Sequence, residues 1–418
     1  MPFRESTRGN RVRSGIAKGR FRFLGGPGIL VTAAFIGPGT ITTCSVAGIA
    51  YGASLLWALA ISILAGMILQ EMTARLGVLG RVDLAEALRD LGKSAVPRIG
   101  VFLLVGIAVG FGCAAYETGN LIGAGLGLET AVGGDRRWWA CLVGVVAGGL
   151  LLSGGYSLVG RILAVLVAVM GTCFLATAVA LGPSPGILLK GLLVPSLDLE
   201  AMPMVLALVG TTVVPYNLFL HSAAARDRWS QSGEIGEARW DLWVSMAIGG
   251  LISAAILVTA AATRGGGSDA GSVVVADLAL QLQPLLGGWA TVLFGIGLFA
   301  AGLTSAMTAP LAAAAATTGI LGLRRDPRSW TFRSIWAAVL IIGMIFAGLN
   351  VRPITAILVA QAANGLLLPF AAAYLLWVMN HAGTLRQSRN GPIANLMGFL
   401  VVTLAFLLGL SMWFRLIG

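Results

Sequence analysis

Charged residues are scarce in this sequence. Asp, Glu, Lys and Arg make up 11 % of its 418 residues, whereas 57 % are hydrophobic. Soluble domains carry roughly 25 % charged residues, and a chain with so few cannot cover a surface that faces water. The composition therefore excludes a soluble globular protein and predicts a polytopic membrane protein.

Histidine and cysteine are also rare. The chain has two histidines, too few for a metal cage built from imidazoles, and four cysteines. Cys44, Cys113, Cys141 and Cys173 lie in apolar stretches without metal-ligand spacing, so they are interpreted as small buried side chains. Because no nucleophile–base pair is recognisable either, the sequence predicts neither an enzyme nor a bound cofactor.

Long apolar runs, in contrast, are abundant. Eleven of them have the roughly 17–25 residues that a helix needs to cross a bilayer. They cover about residues 27–51, 55–77, 99–128, 138–153, 158–181, 202–225, 242–263, 289–321, 334–348, 354–378 and 393–414. The predicted fold is all-α, with a basic tail at 1–23 and a transmembrane domain of eleven helices at 24–418.

The 28 basic residues are distributed unevenly about these spans. Most lie in the tail and in the loops after spans two, six, eight and ten. Since basic loops remain in the cytoplasm, we expect a multi-pass inner-membrane protein with its N-terminus inside and its C-terminus outside. The net charge of +11 is then explained by the lipid bilayer rather than by nucleic acid, and no obligate protein partner is indicated.

Two spans contain residues that an unbroken helix does not tolerate. Span one holds Gly37-Pro38-Gly39-Thr40 and span six holds Pro215; proline removes a backbone donor, and glycine weakens a helix. In lipid, the freed peptide groups must line a cavity, and paired breaks in the two halves of a transporter mark its substrate site. A proline kink between packed helices is the alternative.

Several stretches resemble the Nramp transporters. That family opens its first helix with Gly-Pro-Gly and breaks it at Asp-Pro-Gly-Asn, which residues 26–28 and 37–40 match in part. Its sixth helix reads Ala-Thr-Val-Met-Pro-His and then Leu-His-Ser, matched by residues 211–216 and 220–222. The resemblance implies a LeuT-type 5+5 inverted repeat with helices one and six broken. The repeats would cover about 24–182 and 201–381, with an extra helix at about 393–414.

The departures from the family pattern fall on its metal ligands. The Asp, Asn and Met that bind a transition metal in the family correspond here to Gly37, Thr40 and Val214. Hydroxyls and amides remain, next to half-helix N-termini that attract anions. The predicted function is therefore secondary active transport of a small inorganic anion, bicarbonate in particular. The alternative is Nramp-type transport of a divalent cation, Mg²⁺ or Mn²⁺; a transport-dead receptor is a third reading.

The predicted substrate site takes its residues from the two breaks and from span ten. They are Gly37, Gly39, Thr40, Thr43, Thr211, Thr212, Val214, Tyr216, Asn217, Gln361 and Asn364.

The family's proton path is also altered. The family's acidic residue one turn before the glutamate of helix three corresponds to Ala114. Its sixth-helix histidine beside the break corresponds to Tyr216, and its ninth-helix arginine falls near Ala337. Glu117 and His221 are retained, as candidates for proton coupling or as structural hydrogen-bonding residues. Thr304 and Ser305 in span eight indicate Na⁺ as a coupling ion, since LeuT-type transporters hold Na⁺ with hydroxyls there; packing between helices is the alternative.

Overall fold

Both predicted breaks are real helix ends in the computed structural model, which describes residues 26–28, 36–91, 106–154, 156–196, 198–264, 272–323, 325–381 and 387–417. Helix α1 (Pro38–Tyr51) begins directly after Gly37, which has extended backbone angles. Helix α8 (Met202–Thr212) ends before Val214, and α9 (Pro215–Arg228) begins after it. Each new helix starts with proline, whose missing N–H costs nothing in the first helical turn. The first half of span one, residues 29–35, lies outside the described residues, as do the tail and residues 92–105.

The other described helices follow in chain order. They are α2 (Leu56–Val78), α3 (Leu84–Leu91), α4 (Gly112–Val132, preceded by a π-helix at Gly106–Phe111), α5 (Arg136–Ser153), α6 (Tyr156–Leu181), α7 (Pro185–Leu193), α10 (Ile235–Arg264), α11 (Val275–Leu280), α12 (Gln283–Leu286), α13 (Ala290–Leu321), α14 (Trp330–Ala347), α15 (Pro353–His381) and α16 (Pro392–Ile417).

Eight helical stretches among the described residues are long and apolar enough to cross a membrane. One of them, Pro38–Val78, contains both α1 and α2, while α4 and α5 are not among the eight. The all-helical membrane fold is confirmed, whereas the count of eleven and the repeat boundaries stay predictions.

The membrane helices form two bundles. In the first, α1, α2, α8, α9 and α10 pack against one another; in the second, α4, α5, α13 and α14 do so. Small residues allow the close approach, as in membrane helices generally. A Cβ added at Gly302 of α13 would lie 2.5 Å from the Cβ of Ala124 in α4, and one at Gly48 of α1 would lie 2.2 Å from the Leu257 carbonyl oxygen in α10. Helix α15 contacts both bundles.

Exposed tryptophans stand near helix ends on both sides of the molecule. Trp138 and Trp289 lie at the starts of α5 and α13, and Trp240, Trp243 and Trp330 at the starts of α10 and α14. Tryptophan is enriched where a membrane meets water. Asp83 in the loop after α2, Arg226 in the last turn of α9 and Arg325 after α13 meet on one side of the molecule. We call it the tail side because the sequence predicts the N-terminal tail there.

Candidate substrate site

The two breaks meet through a pair of threonine hydroxyls. Thr40 in the first turn of α1 and Thr211 in the last turn of α8 have Oγ1 atoms 2.8 Å apart, and both residues are fully buried. Either oxygen can donate the hydrogen, because a hydroxyl is both donor and acceptor. This bond places the first break directly against the second, although 171 residues separate the partners.

Gly37 leaves a space that two hydroxyls face. A Cβ added there would lie 2.8 Å from Ser305 Oγ and 3.4 Å from the Tyr116 hydroxyl oxygen. Ser305 is fully buried, and its hydroxyl has no hydrogen-bond partner among the described residues. The position that corresponds to the family's carboxylate therefore faces two neutral hydroxyl oxygens, one from α13 and one from α4.

Gln361 of α15 packs against the same first turn of α1. A Cβ added at Gly39 would lie 2.2 Å from Gln361 Nε2, so a side chain at this position would require the Gln361 amide to move. Gln361 is buried, and its Oε1 has no partner in the described part of the chain. Asn364, one turn further along α15, is equally buried and leaves Nδ2 without a partner there.

The second break adds an aromatic contact and another amide. The rings of Tyr216 and Tyr116 pack edge to face, with their centroids 5.4 Å apart. Asn217 is 1 % exposed, and neither its Oδ1 nor its Nδ2 meets a partner within the described ranges. Val214 is buried and offers only an alkyl group at the position of the family's methionine.

Not every residue proposed for the site presents a free hydroxyl. Thr212 donates to the Leu208 carbonyl at 2.8 Å, and Thr304 donates to the Ala300 carbonyl within its own helix. Thr43 is fully buried one turn after Thr40 in α1. Although Thr304 and Ser305 are neighbours in sequence, one hydroxyl is bonded within α13 and the other faces Gly37.

The two retained titratable residues are placed differently. Glu117 is fully buried, packs against Gly343 of α14, and accepts a 3.4 Å hydrogen bond from Asn120 Nδ2. His221 in α9 has its Nδ1 3.0 Å from Thr73 Oγ1 of α2. Glu117 thus follows Tyr116 in the sequence and packs on α14, whereas the described contact of His221 is with α2.

Tyr116 is the lining residue that the sequence did not assign to the substrate site, and Ser305 was assigned to a coupling ion instead. Their approach to Gly37 depends on how α4 and α13 pack around α1. No local sequence signal carries that information.

The donor set at the breaks is neutral and rich in oxygen. Within the described residues, no three His, Cys, Asp or Glu side chains come together to hold a metal ion. Hydroxyl and amide oxygens can accept hydrogen bonds from water bound to a hard cation, and the same groups can donate to an anion.

Sequence comparison decides which family the chain comes from. A family model described as "Natural resistance-associated macrophage protein-like" matches residues 28–415. The chain belongs to the Nramp family. The protein is therefore a membrane transporter, and the predictions of an Nramp transporter and of no enzymatic activity are confirmed.

Named relatives within this family transport metals. The chain is 31 % identical to a "Divalent metal cation transporter MntH" of Bradyrhizobium diazoefficiens over 93 % of its length and 88 % of that protein. It is 30 % identical to a protein of the same name from Nostoc, covering 93 % and 89 %. A manganese transporter structure from Eremococcus coleocola superposes with a TM-score of 0.71 at 25 % identity, covering 92 % of this chain and 85 % of that one.

These relatives overturn the predicted substrate. The prediction of bicarbonate or another small anion was wrong, because the similar proteins are named for divalent metal cations and manganese. That prediction assumed that a protein without a carboxylate at Gly37 and a thioether at Val214 does not transport cations. Neutral oxygen atoms alone did not justify that step, since they also serve a hydrated cation.

Proposed function

We propose that this protein moves a divalent metal cation across the membrane by alternating access. The observation that carries the proposal is the group of buried oxygen atoms around the first turn of α1. Thr211 is bonded to Thr40, Ser305 faces Gly37, and Gln361 packs on Gly39. All three come from different helices, so the site joins parts of the fold that can move relative to one another.

The chemistry of these atoms favours a cation that keeps part of its water shell. Mg²⁺ is hard, dehydrates reluctantly and usually retains several waters in proteins. Carbonyl, hydroxyl and water oxygens also suit Mn²⁺, whereas thioether and imidazole ligands select softer metals. With Val214 and Tyr216 at the positions of methionine and histidine, we propose Mg²⁺ or hydrated Mn²⁺ as the substrate and not a softer transition metal.

Burial supports an occluded arrangement of the proposed site. Thr40, Thr211 and Ser305 are fully buried, and Asn217 and Gln361 are each 1 % exposed. A cation can reach these oxygen atoms only after helices separate on one side. The half-helices α1 and α9, which begin at the breaks, are the elements whose movement would open the site.

The test is uptake into proteoliposomes of Mg²⁺ and Mn²⁺, measured separately with indicator dyes. We expect saturable uptake of at least one of them by the native chain. Replacing Ser305 with Ala removes an unpartnered hydroxyl and is expected to raise the half-saturating concentration about tenfold, the lower end of the ~1.5–3 kcal/mol that a hydrogen bond to a charged group contributes.

Thr308→Val is the matched control, because its hydroxyl lies on the same helix but donates to the Thr304 carbonyl at 2.9 Å. Uptake by this variant should match that of the native chain. The proposal is wrong if native vesicles take up neither metal under an imposed gradient while the purified protein remains folded.

A further inference from the structure

A cluster of ion pairs lies on the tail side of the molecule, at the end of α9 remote from the second break. We call Asp83, Glu86, Arg226 and Arg325 the Asp83 cluster. Asp83 Oδ2 lies 2.8 Å from Arg226 Nη1, and Asp83 Oδ1 lies 2.5 Å from Arg325 Nη2. Glu86 Oε2 is 2.5 Å from the same Arg226 nitrogen. The Asp83 side chain is 1 % exposed, so its carboxylate is shielded from water.

Asp83 also organises the helix that follows it. Its Oδ1 accepts hydrogen bonds from the backbone N–H groups of Ala85 and Glu86 at 3.0 and 3.1 Å, which makes it the N-cap of α3. The Ser222 hydroxyl of α9 accepts a further bond from Leu84 N at 3.0 Å. The start of α3 is therefore fixed to α9 by a backbone contact as well as by charge.

The partners of Asp83 come from different bundles. Arg226 lies in the last turn of α9, in the first bundle, whereas Arg325 follows α13, in the second. Helix α3 contacts α2 and α9 as well as α13 and α15. One carboxylate thus connects the two bundles.

The two ends of α9 have different surroundings. Its 14 residues span about 21 Å at about 1.5 Å per residue. Tyr216 and Asn217 at its start lie at the second break, and Arg226 at its end lies in the Asp83 cluster. A rigid helix of this length carries a displacement at one end to the other.

We propose that the Asp83 cluster is the gate of the tail side: its ion pairs hold α9 and α13 together through α3 while the site is closed, and they must break before the site opens toward that side. This inference concerns opening and does not depend on which ion is carried. The physical reason is that separating the bundles leaves Asp83 with at most one of its two arginines.

Loss of one partner changes the balance between closed and open states. A charge whose buried partner is removed is left uncompensated, which destabilises the arrangement that buries it. Asp83→Asn removes the charge but keeps the cap, because Asn and Asp cap helices about equally well. The variant therefore weakens the closed state with little effect on α3 itself.

The experiment measures access to the site from each side. A cysteine is introduced by Asn217→Cys, and its reaction with a membrane-impermeant thiol reagent is followed in inside-out and right-side-out vesicles. The chain without this substitution corrects for the four native cysteines. We expect Asp83→Asn to raise the rate of labelling from the tail side about tenfold, equivalent to about 1.4 kcal/mol, and to lower labelling from the opposite side.

Asp135→Asn provides the matched control. Asp135 is also an N-cap aspartate paired with an arginine, accepting from Arg137 N at 2.9 Å, but it lies at the exposed start of α5. This variant should label at the native rate from both sides. Arg325→Gln is the second test variant, since it breaks the connection to α13 and keeps the pairs of Arg226; it too should raise labelling from the tail side.

Two results would overturn the inference. One is unchanged tail-side labelling in both Asp83→Asn and Arg325→Gln when each protein elutes and melts like the native chain. The other is a rise from both sides at once together with a lower melting temperature, which would show general loosening rather than a gate. The labelling experiment contains no transported metal, so its outcome does not depend on the result of the uptake test.

Discussion

At the scale of single residues, Gly37 determines the character of the site. A side chain at this position would point at Ser305 Oγ and the Tyr116 hydroxyl. The space is too small for an unadjusted Cβ, since 2.8 Å is shorter than real contacts, but a serine hydroxyl can rotate away. Position 37 is therefore where a charge can be placed at the centre of the proposed cation site.

A charge introduced at position 37 gives a direct test of cation binding. We expect Gly37→Asp, combined with Ser305→Ala to make room, to tighten Mn²⁺ binding about tenfold relative to Ser305→Ala alone, because a carboxylate is a preferred ligand of Mn²⁺ and a charged contact contributes ~1.5–3 kcal/mol. Isothermal titration calorimetry measures the change. Gly37→Asn, also with Ser305→Ala, matches the size without the charge and should bind like the parent. Equal binding by the Asp and Asn variants would contradict a cation at this position.

Single residues also show which features of the site could be predicted from the sequence. Pro38 and Pro215 predict the breaks because proline is disfavoured in the interior of a helix. Both half-helices begin at these prolines. The Thr40–Thr211 bond and the approach of Tyr116 to Gly37 follow from packing between distant helices. Local patterns do not encode such packing, and the substrate was mispredicted because neutral oxygen atoms do not reveal the sign of their ligand.

At the scale of helices, α3 is held by a carboxylate that stays charged. Burial alone would raise the pKa of Asp83, but the hydrogen bond and charge of Arg325 and the charge of Arg226 outweigh it, so the pKa is lower than usual. A carboxyl group with a lowered folded pKa contributes stability that is complete above its unfolded pKa. This contribution is lost only as the pH falls through the lower, folded value.

The ion pairs of the Asp83 cluster should therefore persist in mild acid. Arg226 and Arg325 pair with the Asp83 carboxylate, Glu86 accepts from its backbone N–H, and Arg81 and Arg89 lie on the same segment. We expect the distance between spin labels at the exposed Arg228 and Arg328 to be the same at about pH 7 and about pH 5, since Asp83 remains ionised at both. A lengthening at about pH 5 that disappears in Asp83→Asn would contradict this reading of the cluster.

At the scale of the whole molecule, the start of α5 and the loop after α13 should lie on opposite sides of the membrane. The start of α5 carries Asp135, whose pKa is lowered to about 2 by its hydrogen bond with Arg137, and the loop after α13 carries Arg328. We expect an impermeant reagent to modify Asp135→Cys from outside the cell and Arg328→Cys only from inside.

The same experiment tests the predicted number of spans. The positive-inside rule predicts the side of each loop, and an extra or missing span between residues 135 and 328 would place both cysteines on one side. Labelling of both from the same face of sealed vesicles would refute the predicted topology. Arg333→Cys, half-buried near the start of α14, should be modified from the same side as Arg328→Cys and serves as an internal control.

The contact between Gly39 and Gln361 has a consequence for mutational scanning. Because the Gln361 amide occupies the space of a Cβ at position 39, substitutions there should be poorly tolerated unless this amide moves aside, whichever substrate is supplied. Smaller residues at position 361 would relieve that intolerance, so the two positions are expected to change together in surviving double variants. Loss of variants at position 39 in a mutational scan would therefore reflect a steric clash. Their rescue by changes at position 361 would identify Gln361 as the clashing residue.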